Sequence, residues 1–145
     1  TRVNIGLPSD THITQLDCGY EHTMIMDQHG KVYACGANDR GQLGLGDTNN
    51  RDVFTRVDSG LPVDIRIKQL VCGNYHTTLL HDDDTIYVFG WNDDGQLGLG
   101  DETDHTFDHP DHGKCVCKPS LVKTYPLRWN WADDRAPGPS AMSVF

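Results

Sequence analysis

One stretch of this chain occurs twice, 54 positions apart. Gly36-Ala37-Asn38-Asp39-Arg40-Gly41-Gln42-Leu43-Gly44-Leu45-Gly46-Asp47 returns as Gly90-Trp91-Asn92-Asp93-Asp94-Gly95-Gln96-Leu97-Gly98-Leu99-Gly100-Asp101. The register extends outward from this stretch. Cys18-Gly19 and His22-Thr23 match Cys72-Gly73 and His76-Thr77, and Ile13, Gln15 and Leu16 match Ile67, Gln69 and Leu70. Thr1-Arg2-Val3 and Gly6-Leu7-Pro8 match Thr55-Arg56-Val57 and Gly60-Leu61-Pro62. A fixed period of about fifty residues marks a repeat array, in which a unit buries its apolar face only against its neighbours. Such arrays work as extended binding surfaces and not as carriers of one catalytic cleft.

Within each unit the pattern predicts short strands. Residues 13–18 and 67–72 alternate apolar and polar side chains, the period of a half-buried strand. Residues 22–26 and 76–80 read as a second strand. Polar turns, Gln28-His29-Gly30 and Asp82-Asp83-Asp84, lead into return strands at residues 31–35 and 85–89. Residues 53–57 supply a fourth strand, with Ser120-Leu121-Val122 as its later counterpart. No segment shows sustained helical periodicity. Four short strands per unit predict an all-β fold of adjacent four-stranded β-propeller blades. Ile13, Leu16, Ile25 and Val32 are expected in the core, with their copies Ile67, Leu70, Leu79 and Ile86. Cys18 and Cys72, and Cys35 in the place of Phe89, are expected there as small buried residues.

The glycine-rich stretch lacks the Lys and Ser or Thr that follow the last Gly of a phosphate loop. It reads as a structural loop. Gly41, Gly44 and Gly46, with Gly95, Gly98 and Gly100, supply tight turns. Asn38 and Asp39 are expected to form side-chain turns with their own backbone, and Gln42 to satisfy main-chain groups that no strand reaches; Asn92 and Gln96 join the structural set as the repeated counterparts of Asn38 and Gln42. Leu43 and Leu45 would pin the loop to the core. His22 and His76 also repeat, each three residues after Gly19 or Gly73. Their recurrence predicts a hydrogen bond between neighbouring strands or blades, and no nucleophile and orienting acid stand at catalytic spacing beside them.

The succession Cys-Gly-x-x-His-Thr, an aromatic strand, then Gly-x-Asn-x-x-Gly-Gln-Leu-Gly-x-Gly-Asp resembles the regulator of chromosome condensation repeat. Two copies with their flanking strands span Thr1 to Val122. The resemblance implies a propeller, usually of about seven blades. It also implies a family whose founder is the nucleotide exchange factor for the small GTPase Ran. Many relatives are instead adaptor domains in ubiquitin ligases, cytoskeletal and ciliary proteins, or bacterial inhibitors. Two functions follow as expectations. One is a non-enzymatic scaffold that binds proteins within a larger multidomain protein or assembly. The other is guanine nucleotide exchange on a Ran-like small GTPase.

Two units fall short of the roughly four blades that the smallest propellers need, so the chain is expected to be a piece of a larger protein. Residues 1–54 form the first repeat. Residues 55–122 form the second, with an insertion at about 102–118, and residues 123–145 are an irregular tail or the start of a diverged repeat. The net charge of -9 opposes contact with nucleic acid and suits a solvated surface or a basic protein partner. No apolar run has the length of a membrane-spanning helix. Five cysteines make an odd set without a disulfide framework, which favours a reducing compartment, cytoplasm or nucleus.

The units differ most in the insertion, which holds His105, Asp108, His109, Asp111, His112, Cys115 and Cys117. His105, His109 or His112 with Cys115 and Cys117 would make a zinc clip, although Cys-x-Cys is closer than the usual structural spacing. The alternative is an exposed acidic loop that happens to be His-rich. No other cofactor is expected. Trp91, which stands where the first unit has Ala37, and Trp129 and Trp131 in the tail are candidates for partner contact, since aromatic residues dominate interface energetics. Blade packing is the other reading of Trp91.

Overall fold

The computed structural model describes residues 5–100, 107–109 and 113–122, which form two antiparallel sheets. The first contains β1 (Ile13–Cys18), β2 (His22–Asp27), β3 (Val32–Gly36) and β4 (Arg51–Arg56), in the order β1-β2-β3-β4. The second contains β5 (Ile67–Cys72), β6 (His76–His81), β7 (Ile86–Trp91), β8 (Phe107–His109) and β9 (Gly113–Leu121), in the order β5-β6-β7-β9-β8. Leu16, Ile25 and Tyr33 stand opposite one another in the first sheet, and Leu70, Leu79 and Tyr87 do so in the second. The sequence repeat is thus a repeat of meander and register. Among the described residues no helix occurs.

The second sheet has five strands where four were expected. Part of the segment read as an insertion is strand: β9 begins at Gly113, well before Ser120, and β8 pairs back onto it through Phe107–Cys115 and His109–Gly113. Cys115 and Val116 are buried on β9, so apolar packing holds this strand in the sheet.

Both sheets share one core. Met24, Val32, Ala34 and Leu43 come from the first unit, and Ile67, Leu70, Leu79 and Phe89 from the second. Five of the expected core residues behave as read: Ile25, Val32, Ile67, Leu70 and Leu79 are buried. Leu70 is fully buried, and Ile86 packs against the core while only half-buried. Ile13 and Leu16 do not follow. They are 48% and 60% exposed, whereas their copies Ile67 and Leu70 are 2% and 0% exposed. The reason is directional: β5 packs against β1 and β2, so this face of the second sheet meets the first sheet. The same face of the first sheet points the other way. Cys18 is likewise exposed, and Cys35 and Cys72 are half-buried. The smaller Cys35 leaves the face less filled than Phe89 does.

The seam between the sheets is polar in its details. The Gln15 side chain donates to the carbonyl of Leu70 at 2.6 Å and accepts the N–H of the same residue at 3.1 Å. The Asp17 carboxylate accepts the N–H of Cys72 at 2.8 Å. The N–H of Ile67 donates to the carbonyl of Gly30 at 3.0 Å, and that of Tyr20 to the carbonyl of Asn74 at 2.9 Å. The hairpin turns end in Gly30 and Asp84, both at φ 70. A Cβ on Gly30 would stand 2.6 Å from the main-chain oxygen of Ile67.

Because burial is directional, equivalent leucines have unequal weight. Leu70→Ala is expected to cost about 2–5 kcal/mol, and Leu16→Ala to stay within about 0.5 kcal/mol. Urea unfolding of the two variants checks this, and equal losses would contradict the assignment of the faces.

Candidate functional site

The two glycine-rich loops fold by the same internal bonds. The N–H of Leu43 donates to Asn38 Oδ1 and that of Leu97 to Asn92 Oδ1, both at 3.0 Å. Gln42 Oε1 accepts the N–H of Arg40 at 2.8 Å, and Gln96 Oε1 that of Asp94 at 3.1 Å. Gly44 and Gly98 take φ values of 68 and 63, the left-handed region that glycine enters without a Cβ penalty. The surroundings differ. Gly41, Gln42 and Gly44 are buried, and a Cβ on Gly44 would lie 2.8 Å from the Phe89 ring. The N–H of Gly46 donates to the carbonyl of Cys117 at 2.8 Å. A Cβ on Gly95, Gly98 or Gly100 would meet nothing within 4 Å among the described residues. The first loop is a wedge held between two units; the second has the same shape with nothing described against it.

The repeated histidine serves the same seam. Thr77 Oγ1 donates to the carbonyl of Gln42 at 3.1 Å. A hydroxyl has one proton to give, so the 3.1 Å contact between Thr77 Oγ1 and His22 Nε2 is donated by the imidazole N–H. Nδ1 then carries the lone pair, and it is buried without a partner. The ring lies against Gly19, where a Cβ would stand 2.4 Å from Nδ1. Gly73 meets the His76 ring in the same way, which explains the Cys-Gly-x-x-His spacing sterically. Burial pushes the His22 pKa down to about 4, with His76 adding to the effect and Asp17 opposing it. Burial lowers that of His76 as well.

A different cluster lies partly open to solvent. Tyr20 sits on the turn between β1 and β2, Tyr75 on the turn between β5 and β6, and Arg40 and Trp91 at the heads of the two loops. The Arg40 guanidinium lies 3.9 Å from the centroid of the Tyr75 ring and 5.6 Å from that of Trp91. Tyr20 and Tyr75 are 5.5 Å apart, and Tyr75 and Trp91 meet edge to face at 6.1 Å. Bonds from the Lys114 N–H and from the Trp91 indole hold the Asp93 carboxyl below its usual range. Tyr20 is 69% exposed. Only Trp91 was singled out in the sequence. The other three sit among repeated residues without standing out, yet all four are departures: Tyr20 stands opposite Asn74, Tyr75 opposite Glu21, Arg40 opposite Asp94 and Trp91 opposite Ala37. That mismatch was the available signal.

Cys115 and Cys117 lie on β9. Burial pushes the Cys115 thiol up to about 11 and raises Cys117 also. His109 belongs to β8, opposite Gly113. His105, His112, Trp129 and Trp131 lie outside the described residues. Among the described residues, no group of three or more His, Cys, Asp or Glu side chains is placed to hold a metal ion.

Two outcomes follow from this geometry. The unfolded chain protonates His22 near its ordinary value of 6.5, while the folded protein resists down to about 4. The unfolded state therefore binds the extra proton in that window. Stability is full above it and falls as pH drops through it. His22→Gln should flatten this part of the pH profile in urea unfolding. Second, Gly44→Ala and Gly98→Ala share a left-handed backbone penalty of about 1–2 kcal/mol, but only Gly44→Ala also collides with Phe89, so it should lower the unfolding midpoint further.

The regulator of chromosome condensation (RCC1) repeat matches the chain over residues 29–80 and 83–130, and a second description of the same repeat matches residues 13–42 and 67–96. The chain is 41% identical over 92 residues to the X-linked retinitis pigmentosa GTPase regulator of Mus musculus, covering 63% of this chain and 9% of that protein. It is 40% identical over 99 residues to the ultraviolet-B receptor UVR8 of Arabidopsis thaliana, covering 68% of this chain and 22% of the receptor. The chain thus spans a small part of these relatives. The crystal structure of Prp20p from Saccharomyces cerevisiae, reported with its binding to Gsp1p and histones, superposes with a TM-score of 0.64 at 20% identity. It covers 83% of this chain and 28% of its own, and at that identity it shows the fold alone. Matched twice, with the same offset as its sequence repeat, the chain belongs to the regulator of chromosome condensation (RCC1) repeat family, and its sheets are neighbouring blades of a β-propeller.

Proposed function

We propose that these blades form a non-enzymatic protein-interaction surface within a larger propeller, and that partners engage the rim where Tyr20, Tyr75, Arg40 and Trp91 meet. The rim cluster carries this reading. Tyr, Trp and Arg are the residues in which interface energy concentrates, and here they converge from both units, with Tyr20 exposed and Arg40, Tyr75 and Trp91 half-buried. The repeated residues are otherwise engaged: His22, Asn38 and Gln42 are buried and bonded along the loop and the seam. A nuclear or cytoplasmic setting is supported by the five free cysteines. No helix among the described residues is long and apolar enough to cross a membrane.

Guanine nucleotide exchange on a Ran-like GTPase is the second reading. It is favoured by the family's founder and by the reported binding of Prp20p to Gsp1p. That binding is reported of a chain of which this one covers 28%, so exchange ranks below the interaction surface.

Affinity capture with the intact chain, compared with a Tyr20→Ala, Trp91→Ala variant of unchanged circular dichroism, tests the first reading. A genuine partner should lose about 2 kcal/mol or more, roughly thirtyfold in Kd. Partners retained equally by both proteins would refute it. Acceleration of GDP release from a Ran-like GTPase would promote the second reading.

A further inference from the structure

The rim cluster has a charge pattern of its own. Glu21, Asp93 and Asp94 are exposed on the same turns and loop heads that carry the aromatic rings. Within this setting one cation is already seated. Arg40 lies over the Tyr75 ring and contributes to the low pKa of Asp93. The molecule thus contains a worked example of how this rim holds a guanidinium, with the Tyr75 face beneath it and the Asp93 carboxylate within electrostatic reach. Tyr20, next along the aromatic row and adjacent to Glu21, offers a second ring whose surface is open to solvent.

We propose that the rim binds a Lys- or Arg-rich segment of a partner protein, one cation resting on Tyr20 and its neighbours meeting Glu21, Asp93 and Asp94. This rests on the protein-interaction reading and adds the chemistry of the partner to it. A cation over a tyrosine face gains from the ring quadrupole. The chain's net charge of -9 steers a basic segment toward it. The same field repels a phosphate backbone.

Fluorescence anisotropy with a labelled peptide of alternating Arg and Gly tests the proposal, with the matching Glu and Gly peptide as control. The Arg peptide should bind, less tightly as salt is raised, and the Glu peptide should not. Tyr20→Ala should weaken binding roughly three- to thirtyfold, while Tyr20→Phe, which keeps the ring face, should restore it. Glu21→Gln with Asp94→Asn should weaken binding. Asp82→Asn with Asp84→Asn, the same change of charge on the hairpin turn at the opposite end of the sheet, should not. Equal weakening by the two pairs, or no effect of Tyr20→Ala, would overturn the proposal by reducing it to net charge. The two readings fail differently. If Tyr20→Ala, Trp91→Ala abolishes partner capture and the Glu21→Gln, Asp94→Asn pair leaves it intact, the interaction surface stands and the basic segment falls.

Discussion

The hydroxyl of Thr77 is where the two units become one structure. Its single proton goes to the carbonyl of Gln42 and its lone pair receives the N–H of His22. One side chain of the second blade therefore fixes both the hairpin and the loop of the first. With that loop in place, Leu43 closes over the core and Gly44 can lie against Phe89. Gln15 and Asp17 extend the same logic along β1, gripping the backbone of β5 by its own N–H and C=O groups. Buried polar groups of this kind are costly when left unpaired, so the seam is specific: a sheet shifted along its neighbour loses several bonds at once.

The period, the strands and the structural character of the glycine-rich loop were legible because each leaves a local trace. Alternation marks strands, and an Asn and a Gln at fixed offsets among glycines mark a self-bonded loop. What the sequence did not show is which apolar face is covered. Leu16 and Leu70 are the same residue in the same pattern, yet only Leu70 has a blade against it among the described residues. Alternation reports that a face is apolar and says nothing about its neighbour. The strand at Gly113–Leu121 was hidden for another reason: its cysteines and the histidines before it suggested ligands. Of the rim cluster only Trp91 was visible, since three rings and a guanidinium brought together from four separate places in the chain have no spacing to betray them.

The two kinds of residue in the repeat thus divide the work. Positions that recur, such as His22, Asn38 and Gln42, are consumed by packing one unit on the next. Positions that break the pattern, such as Tyr20, Arg40, Tyr75 and Trp91, reach solvent or the rim. The family assignment rests on the first set. Any activity particular to this protein has to be sought in the second, which explains how relatives alike in their blades can differ in what they bind.

The turn residue at the end of each hairpin shows that blades of one propeller are not interchangeable parts. Gly30 lets the main chain of Ile67 come close enough to bond, and any side chain there would strike it. Asp84 holds the same backbone angle but carries a side chain. A unit laid on the second blade in the manner of the first would be pushed away at this point. Each boundary therefore has its own fit, and the order of units along the chain is written into the contacts themselves. Swapping, deleting or duplicating a unit would bring together edges that were never shaped for each other, even though the loops and strands involved look alike in sequence.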